Sequence, residues 1–75
     1  MPAPDPVLEK FGDNVRARRV VLGLSQEKLA ELADLDRTYI SGVERGVRNL
    51  SIVSAVKIAK GLGLPVAKLC EGIAR

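Results

Sequence analysis

The chain has 75 residues, a formal net charge of +3, no histidine and one cysteine. That length holds one domain and is only marginally able to bury a core, so association with a second copy is the expected reinforcement. Without His the commonest general base and metal ligand is missing, and a lone Cys70 allows neither an internal disulfide nor a cysteine zinc site.

Residues 1–4 (MPAP) read as a loose tail and residues 5–75 as the domain. Asp5 before Pro6 is a helix-start signal, a cap followed by proline at the first helical position. That helix is expected to run to about Leu22, with Leu8, Phe11, Val15 and Leu22 inward and Gly23 as terminator. Arg19 falls on the same inner side, and a charge there needs a partner.

Ser25 caps a second helix whose apolar side is Leu29, Ala30 and Ala33. Asp36 caps a third almost at once. Ile40 and Val43 continue the apolar face, and Gly46 is the left-handed stop. A turn this tight needs one residue at positive φ. Asp34 is the residue expected there, because Asp tolerates that region better than most.

Residues 47–50 (VRNL) form a polar loop with one aliphatic anchor. Ser51 then caps a fourth helix with the stripe Ile52, Ala55, Val56, Ala59 and Leu62. Gly63 ends it, and Pro65 opens a last short helix, PVAKLCEGI. Val66, Leu69, Cys70 and Ile73 are apolar on a segment too short to need them all for its own domain, so they are the expected face of a two-fold dimer. Cys70 is expected as a small buried hydrophobe. With no strand pattern, the fold class is all-α: a compact five-helix bundle.

A short helix, a tight turn and a second helix with polar residues at its N-terminal end is the DNA-reading helix-turn-helix. Side chains there can reach base edges in the major groove. Arg37 carries a planar fork that fits the O6 and N7 acceptors of guanine. Thr38 offers a hydroxyl and a methyl, Tyr39 and Ser41 hydroxyls, and Gly42 lets the helix sit close to DNA. Arg45, Arg48 and Asn49 are placed to grip phosphates. Gln26, at the start of the preceding helix, can do so with its amide. Lys57, Lys60, Lys68 and Arg75 supply much of the positive excess and fit a solvated face as well as nucleic acid. Glu44 follows Val43 near the inward side and is the expected partner of Arg19.

The run GLSQEKLAELADLDRTYISGVERG, followed by RNL, resembles the helix-turn-helix family of phage repressors and Cro-like regulators, whose fold is the lambda repressor-like domain, and the resemblance covers residues 11–64. Within it, DRTYISGVERGVRNLS and the small size most resemble the controller proteins of restriction–modification systems. The resemblance implies a homodimer on a palindromic double-stranded operator, beside its own gene and the endonuclease gene. It also implies activation or repression according to occupancy, so that methylation precedes cutting, with RNA polymerase as a further candidate partner. It places Arg37, Thr38, Tyr39 and Ser41 on the recognition helix and Arg48 and Asn49 on the contacting loop. An Arg19–Glu44 ion pair is likewise a feature of the repressors it resembles.

Two other readings stay open: another small repressor of this fold, and an antitoxin-like module that binds protein instead of DNA. An enzyme fails on content, with no His, no Gly-rich phosphate loop and no carboxylate pair beyond surface helix residues. No cofactor is expected. No stretch is apolar for the length a membrane span needs, and residues 1–10 lack the basic start and apolar run of a secretory signal, so a cytoplasmic protein without a membrane partner is expected.

Overall fold

The computed structural model describes residues 4–73, so most of the expected tail, together with Ala74 and Arg75, lies outside the described residues. Five helices follow in chain order: α1 Pro6–Val21, α2 Gln26–Ala33, α3 Arg37–Arg45, α4 Ile52–Gly61 and α5 Val66–Leu69. No strand occurs among the described residues.

The caps act as local chemistry dictates. The Asp5 carboxylate accepts from the backbone N–H groups of Val7 and Leu8, Ser25 from Lys28, Asp36 from Thr38 and Ser51 from Ser54. Each bond satisfies a donor that a helix start leaves unpaired. Between α2 and α3 the chain turns through Asp34 at φ 56°, the one non-glycine residue at positive φ among the described residues.

One core unites the helices. α1 gives Phe11 and Val15, α2 gives Leu29, Ala30 and Ala33, and α3 gives Ile40 and Val43. α4 adds Ala55, Ile58, Ala59 and Leu62, and α5 adds Leu69. α1 crosses α3 at Gly12, where an added Cβ would collide with the Val43 carbonyl oxygen and lie 2.7 Å from that of Glu44. Gly46 ends α3 at φ 74° and also lies against Glu9, whose Cα would be 2.6 Å from a Cβ there. Asn14 ties α1 to the end of the chain by donating to the Leu69 and Glu71 carbonyls at 2.9 and 2.8 Å.

Three expectations are corrected. Leu22 is exposed, because α1 ends at Val21 and the chain turns away beyond the core. On α4 the buried face is Ala55, Ile58, Ala59 and Leu62, a run of i, i+3, i+4 and i+7 spacing. Ile52 and Val56 are 72% and 43% exposed: Ile52 sits in the first turn past the core edge, and Val56 is one residue round from Ala55. The last helix is only Val66–Leu69, with Pro65 in the extended cap position and a turn at Glu71 and Gly72.

The expected dimer face changes with it. Leu69 is 1% exposed and belongs to the monomer core, so it cannot meet a second copy. Cys70, expected to be buried, is exposed. Val66 and Ile73 are half-buried.

Candidate nucleic-acid interface

α3 is fixed from its inner side. Glu44 and Arg19 are 3% and 14% exposed, and Arg19 Nε donates to Glu44 Oε2 at 2.7 Å and Nη2 to Oε1 at 3.1 Å. The pair is therefore two-pronged, the geometry that makes Arg–carboxylate contacts strong. Arg19 Nη1 donates to the Leu24 carbonyl at 2.7 Å, and Gln26 Nε2 donates to Glu44 Oε1 at 3.1 Å. One carboxylate thus joins the ends of α1, α2 and α3. The hydrogen bond to Glu44, aided by its charge and opposed by burial, holds the Arg19 guanidinium above its ordinary pKa. Buried charges are tolerated only when satisfied in this way.

The outer side of α3 is polar. Arg37 and Thr38 stand exposed on the first turn, directly after the Asp36 cap. Asp36 is fully exposed. Hydrogen bonds from the Thr38 hydroxyl and then the Thr38 N–H, with the charges of Arg37 and Arg48, hold its carboxyl below the ordinary carboxylate range. Ser41 is half-buried one turn on, and its carbonyl accepts from Arg45 Nε at 3.3 Å, so Arg45 lies along its own helix.

The loop after α3 folds back against the helix. The Arg48 guanidinium lies 4.9 Å from the centroid of the Tyr39 ring, within cation–π range. The Tyr39 hydroxyl donates to the Asn49 carbonyl at 3.4 Å. Gly42 is the notch that permits this, since a Cβ there would sit 3.1 Å from Arg48 Cβ. Gly42 is buried, so its role is to seat Arg48, which corrects its expected role of admitting DNA.

Arg37, Thr38, Arg48 and Asn49 therefore share one exposed surface around the start of α3 and its following loop, with half-buried Tyr39 as the ring that joins the two. Gln26 stands apart, its amide turned to Glu44. Besides the Gln26–Glu44 bond, sequence reasoning missed two links on this surface: the stack of Arg48 on Tyr39, and the bond from the Thr38 hydroxyl to Asp36. The second has a local signal in the Asp-x-Thr spacing. The first joins residues nine apart across a helix end and has none.

Val7, Leu8, Phe11, Leu50, Ile52, Val66, Cys70 and Ile73 line an apolar groove between α1, α4 and α5. Among the described residues no cluster of His, Cys, Asp and Glu could hold a metal, and no helix is long and apolar enough to cross a membrane.

A capped short helix, a tight turn and a second capped helix with a polar outer face define a helix-turn-helix domain. Residues 15–69 match the helix-turn-helix family. Control protein C.MunI of Mycoplasma sp is 43% identical over 65 residues, covering 85% of this chain and 88% of that protein. The crystal structure of the restriction–modification controller protein C.AhdI from Aeromonas hydrophila matches at TM-score 0.81 and 50% identity, over 83% of this chain and 94% of that one. A third match is the controller protein C.Esp1396I, solved as a tetramer in complex with its natural 35 base-pair operator, at TM-score 0.82 and 40% identity over 92% and 91% of the two chains. The chain belongs to the helix-turn-helix controller proteins of restriction–modification systems.

Proposed function

We propose that this protein is a sequence-specific transcriptional regulator that binds a palindromic operator as a homodimer, with α3 in the major groove. The observation that carries this reading is the two-sidedness of α3. Ile40, Val43 and Glu44 lock its inner face, while Arg37 and Thr38 stand exposed on its first turn. A helix held this firmly presents its N-terminal side chains in one fixed geometry, which base reading requires. The operator complex of the related C.Esp1396I supports the same use of the fold.

Arg37 is assigned to a guanine, because its fork can meet two acceptors of one base in a plane. Thr38, Tyr39 and Ser41 complete the reading face. Arg48 and Asn49, with Arg45 and the second amide hydrogen of Gln26, are assigned to phosphates. Arg37→Ala should then lose about 1–3 kcal/mol on the selected operator and little on random duplex. Arg48→Ala should weaken both duplexes alike and lower the salt slope by about one for each phosphate it no longer neutralises. Titrations on selected and random duplexes across a salt series measure both. Equal loss on every sequence for Arg37→Ala would refute its base-reading role.

A single recognition helix reads only a few base pairs, so selectivity calls for two copies about 34 Å apart. The apolar groove between α1, α4 and α5 is the proposed two-fold contact, with Val66, Cys70 and Ile73 on one side and the exposed Ile52 on its rim. One such strip serves both protomers of an isologous dimer. Occupancy-dependent activation or repression, with RNA polymerase as the partner in activation, belongs to the same proposal, and transcription in vitro from the selected operator with purified polymerase measures it.

A further inference from the structure

Asp36 makes one bond more than a helix cap needs. Its Oδ1 accepts the backbone N–H of Thr38 at 2.8 Å and also the Thr38 hydroxyl at 2.6 Å. An ionised carboxylate has no hydrogen to give, so in the second bond the hydroxyl donates. The distance is that of a charge-assisted O–H···O⁻ bond, roughly twice as strong as its neutral counterpart. A free threonine hydroxyl rotates to suit either a donor or an acceptor. Here the hydrogen is committed, and Thr38 offers solvent only its lone pairs and its methyl. The charges of Arg37 and Arg48 help to keep the Asp36 carboxyl ionised.

We propose that Asp36 is a positioning residue for sequence readout: by holding the Thr38 hydroxyl hydrogen, it makes Thr38 select amino bases and reject keto bases. In the major groove adenine N6 and cytosine N4 are donors, whereas guanine O6 and thymine O4 are acceptors. An oxygen with only lone pairs to offer accepts from the first pair and repels the second. Arg37, its neighbour, has donors only. Two consecutive side chains thus impose opposite polarity, Arg37 toward guanine acceptors and Thr38 toward an amino group. The inference rests on α3 being the helix in the groove.

The test is selection from randomised duplexes, read by sequencing, with wild type, Thr38→Val, Thr38→Ser and Asp36→Ser. Wild type should favour adenine or cytosine over guanine or thymine at one position per half-site by about fivefold, the worth of one net hydrogen bond. Thr38→Val keeps the shape without the hydroxyl and should lose that preference. Thr38→Ser keeps the same bond to Asp36 and should retain it. Asp36→Ser still caps the helix with an oxygen but no longer fixes the hydrogen, so the preference should collapse at that one position. A uniform loss at every position in Asp36→Ser, a preference that survives Thr38→Val, or a keto preference in wild type would overturn the assignment of polarity alone. Selection of no sequence by wild type would overturn the reading of α3 and this inference with it.

Discussion

α3 and α4 are built alike and present opposite surfaces. Each starts at an oxygen cap, Asp36 or Ser51, and each buries one aliphatic face in the same core. Away from the core α3 shows Arg37, Thr38 and Arg45, whereas α4 shows Ile52, Val53 and Val56. The inner faces differ too. That of α3 includes a buried charge, Glu44, tied to two other helices, and that of α4 is wholly apolar. Core packing therefore holds both helices, and what separates them is the chemistry of the outer face, polar on α3 and aliphatic on α4. Isolated exposed hydrophobes are ordinary, but a groove of them beside Val66 and Ile73 is the kind of patch that marks an interface.

The largest expected effect is on the polar side of that comparison. Arg19→Ala leaves Glu44 buried with only Gln26, and Glu44→Ala leaves Arg19 with only the Leu24 carbonyl. Either should cost about 3–5 kcal/mol of stability in thermal or urea melts. Replacing both by apolar residues of similar size should recover most of it, less the hydrogen bonds that Leu24 and Gln26 then forgo. A single variant that melts like wild type would show that α3 is held by its aliphatic face alone, as α4 is.

Next comes Gly12→Ala. The new Cβ meets backbone carbonyl oxygens of α3, which cannot rotate aside as a side chain could, so α1 and α3 must separate. The expected cost is about 1–3 kcal/mol, with weaker operator binding in the same variant because the recognition helix is displaced. Melting curves and duplex titration together check this.

On the apolar side, Ile52→Glu tests what covers α4. Ile52 is exposed at the first position of the helix, where an acidic residue suits the helix dipole, so the monomer fold should change by no more than about 0.5 kcal/mol. Sedimentation at micromolar concentration should show a dimer for wild type and a monomer for the variant. Leu69→Glu would not serve, because Leu69 lies in the core and the change would unfold the chain. A monomeric wild type would remove the contrast between the two helices.

The smallest effect is the acid limit of the α3 cap. The Asp36 carboxyl is held below its ordinary range in the folded chain. A group lowered in this way adds stability above its unfolded pKa and loses it as pH falls through the folded one. The advantage of wild type over Asp36→Ser should therefore shrink only as pH falls through and below the ordinary aspartate range, with no change in their difference near neutrality. A difference that varies around neutral pH would point to another titrating group.

The four helix caps, the left-handed Asp34, the apolar side of α2 and the inward Ile40 and Val43 of α3 were all legible in the sequence, because each rests on contacts within a few residues. Side-chain oxygens three or fewer places from a helix start and a 3.6-residue period are local properties. The polar surface of Arg37 and Thr38 was legible on the same ground. Arg19 on an apolar face announced that a partner was needed, and spacing and family resemblance pointed to Glu44. The third member, Gln26, and the stack of Arg48 on Tyr39 were visible only once the helices had crossed. The same holds for Gly12 and Gly42, where the reason for glycine is another segment's backbone or side-chain stem. It holds most of all for α4 and α5, where Ile52 and Val56, expected inward, are exposed and Leu69, expected on an outer face, is buried. Those helices are rich in aliphatic residues all round, so periodicity alone could not choose the buried face. The choice was made by where α1 and α2 lie, and only tertiary packing carries that information.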